Sequence, residues 1–377
     1  MKVLYLIFSH DHQPQVARLA LIIRRLSPDA EIAIHHDPQL APFDASLLRD
    51  EWRVRLIPDP VRAVWGGFSQ VEQYLHAFRW SLSHLEFDWV ITLSGFTYPI
   101  HPLEGFEAML ASSGMDAFVY HFDAYDPNHW PIGTAATRLQ FHYFKFPKFR
   151  YWHRVPAPVR AGLQRLRVWL NAHQSLIRIV PRPRGVSTQL GIRRLRRPFG
   201  DQLKLQGWRQ FLNLNVKALR VLLRFVDLNP EWTAYMRTCL NSDETFFTTI
   251  LANAPHLSID NDVQRFIRWP RGVQHAASGA VITADEIPEV LQSAAPFARK
   301  LDSRIDARAL IWLLSVKWAS PILCNCRCEQ EPVAGRGTRR SLRLPPVKDV
   351  RRLFMLIFEG WVPQDRFTSR GCLRSRD

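Results

Sequence analysis

Met1-Lys2-Val3-Leu4-Tyr5-Leu6-Ile7-Phe8 runs apolar from its third residue until Ser9-His10-Asp11 ends it. Residues 2–8 alternate too little to be half exposed, so the spacing predicts a strand covered on both faces, as in parallel sheets. A secretory leader needs a longer apolar core and a small-residue cleavage site. Neither is present, and the segment is expected to fold as the first strand of a cytoplasmic protein. Outward from it, Val16, Ala17, Leu19, Ala20, Ile22, Ile23 and Leu26 recur at helical spacing over 13–26. Residues 31–35 read as a second strand ending in Ile34-His35-His36-Asp37, and 54–57 as a short third. Ser69, with Glu72 three residues on, starts a long helix over 69–85. Residues 89–93 form another buried strand stopped by Ser94-Gly95, with a helix over 102–110 and a strand over 117–120. Strands and helices alternating through short loops are the signature of an α/β sheet.

Beyond residue 120 the pattern loosens. Residues 158–179 read as a basic amphipathic helix and 186–215 as strands and loops. Helices are expected over 216–225, 232–239, 243–252 and 284–293. Residues 303–377 alternate short apolar runs with Pro/Arg-rich stretches and read as a basic extension behind a single 1–302 domain.

Of 377 residues, 47% are apolar and 22% charged, which is ordinary for a globular chain, and no apolar run reaches the roughly 20 residues that span a bilayer. The net charge of +16 is unevenly placed. Residues 150–220 hold sixteen Arg or Lys against the single acid Asp201, and 331–377 hold eleven against five. Such an excess attracts polyanions: nucleic acid, anionic lipid or a nucleotide diphosphate. No nucleic-acid-binding motif is present, so no specific nucleic acid partner is expected. Residues 150–220 and the run Arg351-Arg352-Leu353-Phe354-Met355-Leu356-Ile357-Phe358 suit peripheral contact with an anionic membrane. Cys324, Cys326 and Cys328 lack the second half of a zinc site, and no metal is expected there.

Ligands of an open α/β sheet bind at the carboxyl ends of its strands. The polar residues at those ends are Ser9, His10, His12, Asp37, Ser94 and Gly95. Asp37 suits a ribose or base, and equally a turn before Pro38. His35 and His36 read as structural histidines. No G-x-G-x-x-G or P-loop pattern occurs. Trp65-Gly66-Gly67 ahead of Ser69 makes a tight turn into a helix N-terminus, a possible phosphate or sugar cradle. Asn241-Ser242-Asp243-Glu244-Thr245-Phe246-Phe247 carries two readings. Asn241 and Glu244 have the spacing of a capping box, and Glu244 is also an ionised carboxylate suited to act as a general base. Arg299-Lys300 either complements a helix dipole or neutralises a departing diphosphate. The only D-x-D, Asp260-Asn261-Asp262, stands far from a strand end expected to bind ligand.

Seven pieces in order resemble the core-2/I-branching glycosyltransferases, the group of β-1,6-N-acetylglucosaminyltransferases and peptide O-xylosyltransferases. They are the opening strand and helix of residues 3–26, Ile34-His35-His36-Asp37, Val64-Trp65-Gly66-Gly67-Phe68-Ser69, Leu93-Ser94-Gly95-Phe96-Thr97-Tyr98-Pro99-Ile100, Gly207-Trp208-Arg209-Gln210-Phe211-Leu212, Ser242-Asp243-Glu244-Thr245-Phe246-Phe247, and Phe297-Ala298-Arg299-Lys300-Leu301-Asp302. The resemblance implies a GT-A-like, Rossmann-type mixed sheet flanked by helices. It further implies inverting transfer of a sugar, GlcNAc or xylose, from a UDP donor without metal or other cofactor. On that pattern Glu244 is the catalytic base, Asp37 holds the uridine and Arg299 with Lys300 faces the diphosphate. His10, Trp65, Gly66, Ser94 and Gly95 complete the donor side. The acceptor is a carbohydrate, lipid-linked or protein hydroxyl, with Arg138, Tyr143 and Trp208 on its side. The absence of an anchor and of disulfides implies a bacterial, cytoplasmic form acting in polysaccharide assembly. The chain departs from the pattern at Thr97, where Asp is usual, and at residues 276–280, which lack an expected basic residue. Those departures leave a second reading, a catalytically impaired carbohydrate- or polyanion-binding protein on the same fold.

Overall fold

A computed structural model describes residues 1–145, 154–181, 188–196, 203–208, 210–270 and 278–318. The first half alternates as expected. It runs β1 (Val3–Ser9), α1 (Gln13–Leu26), β2 (Glu31–His36), β3 (Val54–Leu56), α2 (Ser69–His84) and β4 (Trp89–Ser94). Then follow β5 (Thr97–Pro99), α3 (Leu103–Ser112), β6 (Ala117–Phe118) and β7 (His121–Asp123). An excursion holds α4 (Thr134–Leu139), β8 (Phe141–Lys145), α5 (Ala157–His173), β9 (Ile177–Val180) and β10 (Gln189–Arg193). The chain returns through β11 (Gln206–Trp208), β12 (Asn213–Asn215), α6 (Val216–Leu228), α7 (Pro230–Arg237) and α8 (Phe246–Ala252). It ends in β13 (Ile259–Asp260), β14 (Arg265–Ile267), α9 (Ile287–Val290), β15 (Phe297–Arg299) and α10 (Ala307–Trp318).

The central sheet has the order β13-β6-β12-β4-β1-β2-β3. β1 pairs in parallel with β2 and β4, whereas β12 runs antiparallel to both β4 and β6, so the sheet is mixed. Helices cover both faces. Leu4, Leu6 and Phe8 pack with residues of α2, α6 and α8, and Val3, Tyr5 and Ile7 pack with residues of α1, α3 and α10. Alternate residues of a strand point to opposite faces, so two covered faces require an unbroken apolar run.

Three helices differ from the periodicity. The helix expected over 158–179 stops at His173 because Gln174 turns back on it. Its side-chain amide donates to the Leu170 carbonyl and its oxygen accepts from the Leu176 and Ile177 amides, which releases the chain into β9. The helix expected over 243–252 is a 3₁₀ turn, Ser242–Glu244, then a break at Thr245 (φ −142°, ψ −29°), then α8. The one expected over 284–293 opens as a 3₁₀ turn, Ala284–Glu286, under a Thr283/Glu286 capping box before α9. The packed core also continues past residue 302, since Ala309, Leu310 and Leu313 of α10 join the cluster of Ile287 and Val290. Residues 319–377, with the cysteine cluster and the Arg351 run, lie outside the described residues.

Candidate functional site

The registers Phe8↔Ser94 and Ser9↔His36 bring the carboxyl ends of β1, β2 and β4 to one edge. Gln15, fully buried in the first turn of α1, fastens the segments that meet there. Its amide donates to the carbonyls of Gly95 (3.0 Å) and Leu301 (2.8 Å), and its oxygen accepts from the Ser303 amide and hydroxyl. Gly95 lies so close to α1 that a Cβ would stand 2.8 Å from Val16 Cγ2, which is why only glycine fits.

β15 pairs antiparallel with β5, setting Arg299 opposite Thr97. From there the Arg299 guanidinium donates to Ser94 Oγ at 2.8 Å and lies 4.9 Å from the centre of the Phe211 ring. Ser94 Oγ in turn is 2.9 Å from Thr97 Oγ1, so the threonine in place of the usual aspartate is part of this chain of hydrogen bonds. Lys300 takes another ring, with Nζ 4.8 Å from the centre of Phe96.

Arg265 was not among the residues expected at the site. It is buried between the Phe211 and Phe297 rings and donates to Asn213 Oδ1 (2.7 Å) and to the carbonyls of Thr92 and Val263. Loss of water lowers the Arg265 guanidinium to about 9 and the Arg299 guanidinium to about 10. Neither donates to a carboxylate among the described residues. Asp262 offsets part of the charge on Arg265 and no described carboxylate does so for Arg299, so the two desolvated cations on one aromatic ring keep positive charge that an anion would relieve. Burial raises the Tyr74 phenol, so it stays neutral beside them.

The 241–244 turn carries the candidate acid–base residue. Asn241 is left-handed (φ 48°), and its backbone amide donates to the Gly66 carbonyl at 3.1 Å. The Trp65-Gly66 turn and the Glu244 turn are thereby joined across 175 residues of chain. The capping-box geometry is not formed. Asn241 caps nothing with its side chain, and its backbone amide is taken by Gly66 rather than by Glu244. Glu244 Oε2 instead accepts from Arg138 Nη1 at 2.5 Å, and Oε1 accepts from the Asn241 side-chain amide at 3.2 Å. Arg138 is held from behind by Trp130, 4.5 Å from its ring centre. The Glu244 side chain remains 33% exposed, which leaves room for a proton to be delivered to it.

The remaining expected residues fall in different places. Asp37 is 3% exposed, and its two oxygens accept from the Gln39 amide (2.9 Å) and the Ala63 amide (2.8 Å), so it clamps two loops together. His10 is exposed at the end of β1. Burial lowers His12, whose Nε2 lies 2.8 Å from Ser303 Oγ. His35 and His36 are structural, as expected. His35 Nε2 accepts from the Val61 amide, and His36 Nε2 donates to the Ala41 carbonyl while its Nδ1 accepts from Ser9 Oγ. Tyr143 is buried in β8 with its hydroxyl donated to the Thr137 carbonyl, so it packs the excursion rather than lining a cleft. Trp208 sits on β11, paired with His121, and its side chain lies outside the described residues, as do Ala276 and Ala277. Asp262 of the D-x-D accepts from its own neighbour Gln264. Among the described residues no three His, Cys, Asp or Glu gather as a metal site.

No protein-family model matches the sequence, and no curated protein does. Among solved structures, mouse xyloside xylosyltransferase 1 in its apo form is similar over 79% of this chain and 97% of its own, at 13% identity and a TM-score of 0.36. An active-site mutant of LgtC is similar over 80% of this chain and 88% of its own, at 8% identity and a TM-score of 0.34. Both overlaps are loose, and the functional reading rests on the site's own residues.

Proposed function

We propose that this chain is an inverting glycosyltransferase that moves a sugar, GlcNAc or xylose, from a UDP donor to a hydroxyl acceptor without a metal. The observation that carries the reading is the desolvated Arg299 guanidinium, bonded to Ser94 at the carboxyl end of β4 and stacked with Arg265 on Phe211. A diphosphate supplies the missing negative charge, and its charge grows as the leaving group departs, so the same cations stabilise the transition state. Arg299 reaches the anion, Lys300 adds a second charge, and buried Arg265 raises the local potential beneath them.

The acceptor oxygen attacks the anomeric carbon on the face away from UDP. Its bond to that carbon forms as the carbon–phosphate oxygen bond breaks, with the electron pair leaving on UDP. The acceptor proton passes to Glu244 at Oε1, which holds only the longer bond from the Asn241 amide, whereas Oε2 holds the short bond from Arg138. Arg138 thus orients the base, a role more specific than general contact with the acceptor. The same ion pair favours the second reading, a catalytically impaired carbohydrate- or polyanion-binding protein, since Arg138 already occupies the carboxylate that would have to take the proton.

UDP release from UDP-GlcNAc and UDP-xylose, measured with EDTA present, tests both. Glu244→Gln is expected to lower turnover by about 10²–10⁴-fold while UDP binding in calorimetry stays near wild type. An equally active Glu244→Gln enzyme would remove the base assignment. UDP binding without any turnover by the wild type would leave the binding-protein reading.

A further inference from the structure

The excursion of residues 141–196 contains a surface that the proposed chemistry does not use. Helix α5 is seventeen residues long and buries none of them. Val159, Leu163 and Leu166 recur at i, i+4 and i+7, with Trp169 one turn on, and each is between 46% and 54% exposed. The helix is fastened through another face, where the Asn171 side chain exchanges two 3.0 Å hydrogen bonds with the Ile179 backbone of β9. Among the described residues nothing covers the apolar row. Its neighbours repeat the pattern: Ile177 and Ile192 stand opposite one another in the β9–β10 register, and both are more than 40% exposed. Of the eighteen large apolar side chains exposed among the described residues, ten lie between residues 144 and 195.

Charge decides what covers this face. Residues 127–200 contain fifteen Arg or Lys and no Asp or Glu. A second copy of the chain would set two arginine-rich faces against each other. A nucleic acid offers phosphates to the arginines but nothing to a row of leucines. An anionic lipid surface satisfies both, accepting the aliphatic side chains at its acyl boundary while its phosphates pair with Arg160 and Arg165 at the sides of the row.

We infer that α5 and the adjoining edge of β9–β10 form a peripheral docking surface for an anionic membrane. No described helix is long and apolar enough to cross a bilayer, so the contact lies in the interface plane. The inference does not depend on the proposed chemistry, because its readout is binding. The full chain is floated with vesicles of phosphatidylcholine alone and of phosphatidylcholine mixed with phosphatidylglycerol, at low and at high salt. The wild type is expected to float with the anionic vesicles only. Leu163→Ser with Leu166→Ser is expected to lose about tenfold or more in partitioning with its thermal melt unchanged, because both side chains are already exposed. Hydrogen exchange on the wild type gives a check that needs no variant, with slowed amides over 157–173 when anionic vesicles are added. Salt-sensitive binding that the leucine variant retains would overturn the inference in favour of a plain polyanion site. Failure to float, dimerisation in sedimentation, or unchanged exchange over 157–173 would overturn it as well.

Discussion

Helices α1 and α5 carry the same kind of pattern and meet different fates. Both show apolar residues at helical spacing, and both carry several arginines. Yet α1 buries seven of its fourteen residues against the sheet, whereas α5 buries none of its seventeen. A 3.6-residue period states that a helix has an apolar face, but it does not state what covers that face. In α1 the cover is the sheet, fixed through Gln15; in α5 no described residue supplies one.

Substitutions in the two helices should differ accordingly. Leu19→Ala in α1, where the side chain is fully buried, is expected to cost about 2–5 kcal/mol in chemical denaturation. A near-neutral result would mean that α1 is no better covered than α5.

The second-largest effect is a pH dependence under the same covered sheet. Burial, helped by the neighbouring His76, lowers His35 to about 4, so it is neutral in the folded protein. Unfolded, it binds a proton below its ordinary value of about 6.5. The unfolded state therefore holds the extra proton between those values, and stability falls as pH drops from about 6.5 towards 4, by up to about 3 kcal/mol. Urea midpoints across that range should show the fall, and His35→Gln should flatten it. A slope that His35→Gln leaves unchanged would assign the effect to another group.

Gly95→Ala sharpens the comparison at the place where α1 touches the site. The new methyl meets Val16, and the expected loss is about 1–3 kcal/mol together with a raised donor KM, because the loop carrying Ser94 must shift. A stable variant with unchanged KM would show that this approach is slack. The smallest effect belongs to α5: Leu166→Ala should change the stability obtained from thermal melts by no more than about 0.5 kcal/mol. A larger loss would mean that the helix is covered after all.

Much of the covered half was legible. The bounds of α1 follow from its period, and those of β1 from an apolar run that only two covered faces explain. That a helix starts beside Glu244 was also legible, because short polar residues before an apolar run are a local signal, but the separate 3₁₀ turn was not. Nor was the partner of Glu244. Arg138 reads as one more basic residue among aromatics, and its bond to Glu244 spans 106 residues. Arg265 carries no signal at all. It is one arginine in a three-residue strand, and its burial depends on Asn213, Thr92 and two phenylalanines arriving from separate segments. Asp37 left two readings open, and the loops at 39 and 63 closing on it reveal the clamp.

By itself the sequence determined the alternation of strands and helices, the turns at Gly66, Gly95 and Asn241, and the excess of positive charge. Each of these is a property of neighbouring residues or of composition. The tertiary structure alone decided which cations lose their water, which arginine holds Glu244, and which apolar face no described residue covers. Those outcomes depend on side chains distant in sequence converging and excluding solvent, and no local pattern encodes that convergence.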